Sequence, residues 1–178
     1  MCANPKGCQE ASVYLGAQME SLLRAVQDSY VNLGKNPHSY SSVAKFLFNC
    51  HRIDDRLAFE VAERTMGAAL QHFFIRPGNY LYVGQLINAF HDVSPDLAKA
   101  FVDNPKIRSK ITGSLNMHDW SNECLGARHL IKAIYRACPN TWLKMLKFVT
   151  VDLKGIDLES LYAEGSEAAA GSEPSGPE

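Results

Sequence analysis

Apolar side chains recur along this chain at every third or fourth position in successive blocks. That rhythm gathers them on one face of a helix, which turns once in about 3.6 residues. Leu15, Met19, Leu22, Val26, Tyr30 and Leu33 form the first block and predict a helix over 10–33, ended by Gly34, Asn36 and Pro37. Ser41 or Ser42 is placed to cap a helix over 41–53 carrying Val43, Ala44, Phe46, Leu47, Phe48 and Cys50. Asp54 is placed to cap the next, since a short acceptor side chain satisfies the free amides of a first turn. Ala58, Val61, Ala62, Thr65, Met66, Ala69, Leu70 and Phe73 continue that helix until Arg76-Pro77-Gly78-Asn79 breaks it.

A helix over 79–93 turns at Val93-Ser94-Pro95. Proline at a first helical position is favourable because the amide it lacks would be unpaired there. Asn104-Pro105 repeats the device and starts a short helix over 106–115. Asp119 is placed to cap a helix over 119–137, with Trp120, Cys124, Ala127, Ile131, Ile134 and Cys138 in its stripe. Cys138-Pro139-Asn140 leads into a last main helix over 140–150, and 157–162 adds a closing turn. Tyr80-Leu81-Tyr82-Val83 and Phe148-Val149-Thr150-Val151 favour strand by residue type, but both are short and embedded in helical periodicity.

The pattern repeats. Leu86, Ile87, Ala89 and Pro95 recur 44 positions later as Leu130, Ile131, Ala133 and Pro139. A fainter echo lies 40 positions earlier, where Leu47, Ile53, Asp55 and Leu57-Ala58 stand for Ile87, Val93, Pro95 and Leu97-Ala98. Each copy reads as helix, corner, helix, at the spacing of roughly 40–47 residues found in two- and three-helix solenoid repeats. The corner Ser94-Pro95-Asp96-Leu97-Ala98, its copy at Cys138-Pro139 and the apolar pairs around them resemble HEAT- or armadillo-type repeats over residues 41–161. The first copy departs from the pattern by lacking the proline. The expected fold is therefore all-α: a short solenoid of stacked helical hairpins, or a compact multi-helix bundle. The resemblance implies a scaffold that binds partners along a stacked-helix surface, and carries over no catalytic residue.

Composition changes little in this picture. At 178 residues, 46% apolar and 21% charged, the chain suits one helical domain over 10–162. Residues 1–9, with Pro5 and Gly7 and little apolar content, are expected to be a loose, flexible terminus. Residues 163–178 hold four glutamates, no Lys or Arg and no large apolar side chain, and are expected to be a disordered acidic tail. Net charge is −1, so the body without that tail is mildly basic. No apolar run approaches the roughly 18 residues of a membrane span. The start lacks the apolar centre of a secretory signal, and five scattered cysteines point to reduced thiols in the cytoplasm.

Candidate chemistry is sparse. Cys2 and Cys8 lie outside zinc spacing, and His118, Cys124 and His129 do not converge on a helix, so no metal or cofactor is expected. Cys50-His51 diverge as neighbours, Asp54-Asp55 suit capping better than acid–base work, and every glycine outside the tail is isolated. The most directed feature is a basic stripe, Arg128, Lys132 and Arg136, aligned at i, i+4 and i+8. Tyr135 sits beside it, Lys144 and Lys147 follow, and Lys106, Arg108 and Lys110 precede it. In the central copy those three positions are Gly84, Asn88 and Asp92, so the repeat itself does not demand the charge.

Three functions compete. The first is a non-catalytic module that binds another protein through Arg128, Lys132, Tyr135, Arg136, Lys144 and Lys147, as a regulatory or sensing part of a larger assembly. On that reading, charge reversal at Arg128, Lys132 and Arg136 weakens binding and leaves the melting temperature alone. The second is a basic-surface nucleic-acid binder, whose affinity would fall steeply with salt. The third is a helical enzyme with a cleft around His51, His91 and His129.

Overall fold

Three corners of identical construction organise the protein. Asp54, Ser94 and Cys138 share φ of −158°, −163° and −159°, the first two in extended backbone, and each residue alone separates two helices. Each corner amide closes the preceding helix at 2.8 Å, onto Cys50 O, Phe90 O and Ile134 O. Each corner carbonyl opens the next, accepting from Ala58, Ala98 and Trp142 at 3.1, 3.2 and 3.1 Å. The copies use two chemistries for the same result. Pro95 and Pro139 remove an amide that would otherwise go unpaired. The first copy lacks the proline, and there Asp54 Oδ1 accepts from Arg56 N at 2.9 Å and Leu57 N at 3.3 Å.

The computed structural model describes residues 5–32, 36, 38–117 and 125–149. Among them are nine α-helices, a single 3₁₀ turn and no strand: α1 Pro5–Ala17, α2 Met19–Val31, α3 Ser39–Ile53, α4 Asp55–His72, α5 Tyr80–Val93, α6 Pro95–Asp103, α7 Pro105–Met117, α8 Leu125–Ala137 and α9 Pro139–Leu146. Tyr80-Leu81-Tyr82-Val83, strand-prone by residue type, opens α5. None of these helices is long and apolar enough to cross a membrane. Asp119, Trp120, Cys124, the turn over 157–162 and the acidic tail lie outside the described residues.

The hairpins α3–α4, α5–α6 and α8–α9 stack through their first helices: α5 packs most extensively against α8 on one side and α3 on the other. One buried apolar cluster runs from Leu23 to Met145. Within it the rings of Tyr40, Phe73, Phe101 and Phe90 form a chain across the hairpins, with centroids 6.2, 5.6 and 5.2 Å apart. The link from α4 to α5 is held by buried polar groups. Tyr40 Oη donates to Phe74 O at 2.6 Å and accepts from Phe74 N at 2.9 Å, while Asn79, fully buried, bonds Arg76 N and Phe74 O.

Several expected boundaries move. The helix expected over 10–33 is two, parted at Gln18, whose amide is shared between Tyr14 O and Leu15 O. The reason is packing: Leu15 lies on a small cluster with Cys50, Leu57 and Ala58, whereas Leu23, Val26 and Tyr30 enter the main core. α1 also begins at Pro5, inside the stretch expected to be loose, and Ser12 Oγ donates to Asp54 Oδ2. α3 begins at Ser39 rather than 41, with Ser42 inside it and its hydroxyl bonded back to His38 O at 3.3 Å. α4 stops at His72, where Lys106 and Lys110 of α7 reach across and donate to Gln71 O and Phe73 O. Two ammonium groups thus cover carbonyls at the negative end of a helix.

Candidate functional site

Applying the corner offsets to the first helices of the three hairpins places Lys45, Gln85 and His129 in one row, Phe48, Asn88 and Lys132 in a second, and Arg52, Asp92 and Arg136 in a third. The structure brings members of these rows together over α5. A shallow groove of about 230 Å³ is lined by Lys45 and Phe48 of α3, Gln85, Asn88, Ala89 and Asp92 of α5, and His129 of α8. The floor is recessed: Gln85, Asn88 and Asp92 are half-buried, while Lys45 and Phe48 on the α3 wall are exposed.

Phe48 departs from the expectation that it joins the apolar core. The residue is 47% exposed, and the Arg52 guanidinium stands 5.8 Å from its ring centroid. Across the groove, Gln85 Oε1 and His129 Nε2 are buried polar atoms with no hydrogen-bond partner among the described residues. A buried polar atom without a partner is costly, and native folds keep few of them. Here the two residues that carry such atoms line one groove.

The expected basic surface divides. Arg136 does not stand free: its guanidinium donates to Asp92 Oδ1 at 2.9 Å and reaches Asn88 Oδ1 at 3.5 Å. It bridges α8 to α5. Lys132 and Tyr135 are half-buried and also engaged, and Arg128 is half-buried on α8. Lys144 on α9 and Lys147 just past its end are exposed, and Lys144 lines a separate cleft against α7. The six residues thus differ in exposure and in what already engages them. The cations counted toward a nucleic-acid surface are partly used inside the fold, Arg136 by Asp92 and Lys106 and Lys110 by the end of α4.

The three histidines also separate. His51 Nδ1 lies 3.1 Å from Asp55 Oδ1 one turn along. The repeat position shared by His51 and His91 carries Tyr135 in the third copy, while His129 aligns with Gln85 and alone of the three lines the groove. No three His, Cys, Asp or Glu side chains among the described residues gather as metal ligands would. The cysteines correct the expectation that all are reduced: Cys8 is disulfide-bonded, and Cys50 and Cys138 are buried free thiols. Burial pushes the Cys50 thiol up to about 11, which leaves it protonated and a poor nucleophile.

Burial holds His91 below its ordinary 6.5, and the nearby Arg136 charge adds to the effect. Burial does the same for His129, with Lys132 adding. In both, the folded state binds a proton less readily than the unfolded chain. Their contribution to stability is complete above pH 6.5 and is lost as pH falls below it toward the lowered folded values. Thermal melts should show the midpoint falling between about pH 7 and pH 5, a window well above the range where lowered carboxylates such as Asp54 titrate. A His91→Gln, His129→Gln double variant should flatten that slope. An equal slope in wild type and double variant would place the loss elsewhere.

No protein-family model, curated protein or solved structure matches this chain.

Proposed function

We propose that this chain is a non-catalytic helical-repeat module, built like a short HEAT- or armadillo-type stack, that binds a partner protein in the groove over α5. The observation that carries the reading is the recessed groove itself, formed where three hairpins with identical corners align equivalent positions. Phe48 supplies an exposed aromatic on its wall, with the Arg52 guanidinium beside that ring, and both are residue types that dominate protein-binding energetics. Gln85 and His129 add polar side chains to its lining. A groove of this size takes a few side chains of a segment, with the rest of the partner resting on the flanking helices.

Residues 45 and 48 are better probes than 136, because reversing Arg136 also opposes Asp92 and so disturbs the α5–α8 contact. Lys45→Glu with Phe48→Ala should abolish co-purification of a specific partner from the source cell. The melting temperature should stay within about 2 °C of wild type, since substitutions at exposed positions change stability little. Retention of every co-purifying protein by the double variant would remove the groove as the binding face.

A further inference from the structure

A second opening lies between α7 and α9. Its volume is about 650 Å³, within the range of small-molecule sites, and it shares no lining residue with the groove over α5. Its walls carry one sign of charge. α7 holds Lys106, Arg108 and Lys110 and no acid, and α9 holds Lys144 and no acid. Lys106 and Lys110 are spent on the end of α4, which leaves Arg108 and Lys144 at the opening. Neither is ion-paired among the described residues, and those that line the cleft include no carboxylate. A cleft lined by a single sign of charge concentrates its field and attracts counter-ions.

The cleft also holds an aromatic ring on a fixed backbone. Asn116 Nδ2 on α7 donates to Phe148 O at 2.8 Å, and Phe148 N donates to Met145 O at 2.9 Å, so the ring is carried by backbone tied to both walls. Phe148 itself is 69% exposed. Arg108 and Asn116 are eight residues apart on one helix, about 12 Å along its axis. Ser109 and Thr112 add hydroxyls along that wall. We propose that this cleft binds a small aromatic phosphate monoester, its phosphate held by Arg108 and Lys144 and its aromatic body laid on Phe148. A phosphate monoester carries close to two negative charges at neutral pH, which matches two cations where a carboxylate would offset one. Hydrogen bonds from arginine and lysine to phosphate are charge-assisted, and the hydroxyls of α7 are further donors. A span of about 12 Å suits a two-ring body with its phosphate.

Isothermal titration calorimetry of the full chain at pH 8, with 2-naphthyl phosphate as the probe, tests this. The probe should bind with a Kd below about 1 mM. The singly charged 2-naphthalenesulfonate, with the same rings, should bind at least about tenfold more weakly, since it forfeits one charge-assisted contact. Lys144→Glu, at an exposed position, should weaken the phosphate probe by at least about tenfold and leave the melting temperature within about 2 °C of wild type. Phe148→Ala, also exposed, should weaken it about fivefold. Arg108 is half-buried, so the two exposed positions carry the test. No saturable binding of 2-naphthyl phosphate would overturn the proposal, as would equal affinity in wild type and Lys144→Glu. Equal affinity for uncharged 2-naphthol would make the cleft an apolar pocket and overturn it too. A short phosphotyrosine peptide binding at least about tenfold more tightly than phosphotyrosine alone would assign the cleft to a protein partner and overturn the small-molecule assignment.

Discussion

Phe101→Ala should lower unfolding free energy by about 3–5 kcal/mol, the range for truncating a fully buried phenylalanine. Phe101 is wholly buried on α6, and its ring meets Phe73 edge-on at 5.6 Å and an 80° angle and Phe90 at 5.2 Å. Phe73 belongs to the end of the first hairpin and Phe90 to α5, so removing the ring opens a cavity where two hairpins join. Aromatic pairs add about 0.5–1.5 kcal/mol each beyond simple burial, and both would go. Against a typical total of about 5–15 kcal/mol, the loss is a large fraction of what holds the protein folded. Phe101→Leu keeps most of the volume but also loses both ring pairs, and should cost about 1–3 kcal/mol, less than Phe101→Ala because it leaves a smaller cavity. Denaturant titration followed by circular dichroism measures both. A cost for Phe101→Ala as small as that of Phe101→Leu would show that the ring does not join the hairpins.

The hairpins themselves could be read from the chain because their corners carry chemistry. Ser94-Pro95 and Cys138-Pro139 announce a helix start, and the equivalent Asp54 announces one by its side chain. The break at Gln18 could not be read, because the apolar rhythm runs through it and the residue is an ordinary helix former. What parts α1 from α2 is the choice of core each one packs on, and that choice is made by helices far along the chain. The candidate surface was readable only in part for the same reason. A lysine or arginine on a polar stripe looks available until the neighbouring hairpin is in place. One signal was present: the 44-residue offset aligns Arg136 with Asp92, so stacking sets opposite charges side by side. Phe48 was hidden by its apolar character, since periodicity assigns an apolar residue to a face and says nothing of whether another helix covers that face.

That covering depends on how closely α5 and α8 approach, and a glycine permits the approach. A Cβ at Gly84 would stand 2.6 Å from His129 Cδ2, 3.2 Å from Leu130 Cα and 3.3 Å from the His129 carbonyl carbon. The imidazole can swing aside, but the backbone of α8 cannot, so any side chain at 84 pushes the two helices apart. Gly84→Val should destabilise by about 3 kcal/mol, the upper part of the range for overpacking a core. Gly84→Ala should cost less, since alanine regains about 0.5–1 kcal/mol of helix preference over glycine. Gly67, on the exposed side of α4, has nothing within 4 Å of the same ideal atom. There the substitution to alanine meets only the favourable term, and Gly67→Ala should stabilise by about 0.5–1 kcal/mol. One substitution type thus carries opposite signs at two helical positions, and paired denaturant titrations decide it. If Gly84→Ala stabilised as Gly67→Ala does, the close crossing of α5 and α8 would be wrong. The groove over α5 would lose its geometry with it, because His129 forms its far wall only where the two helices nearly touch.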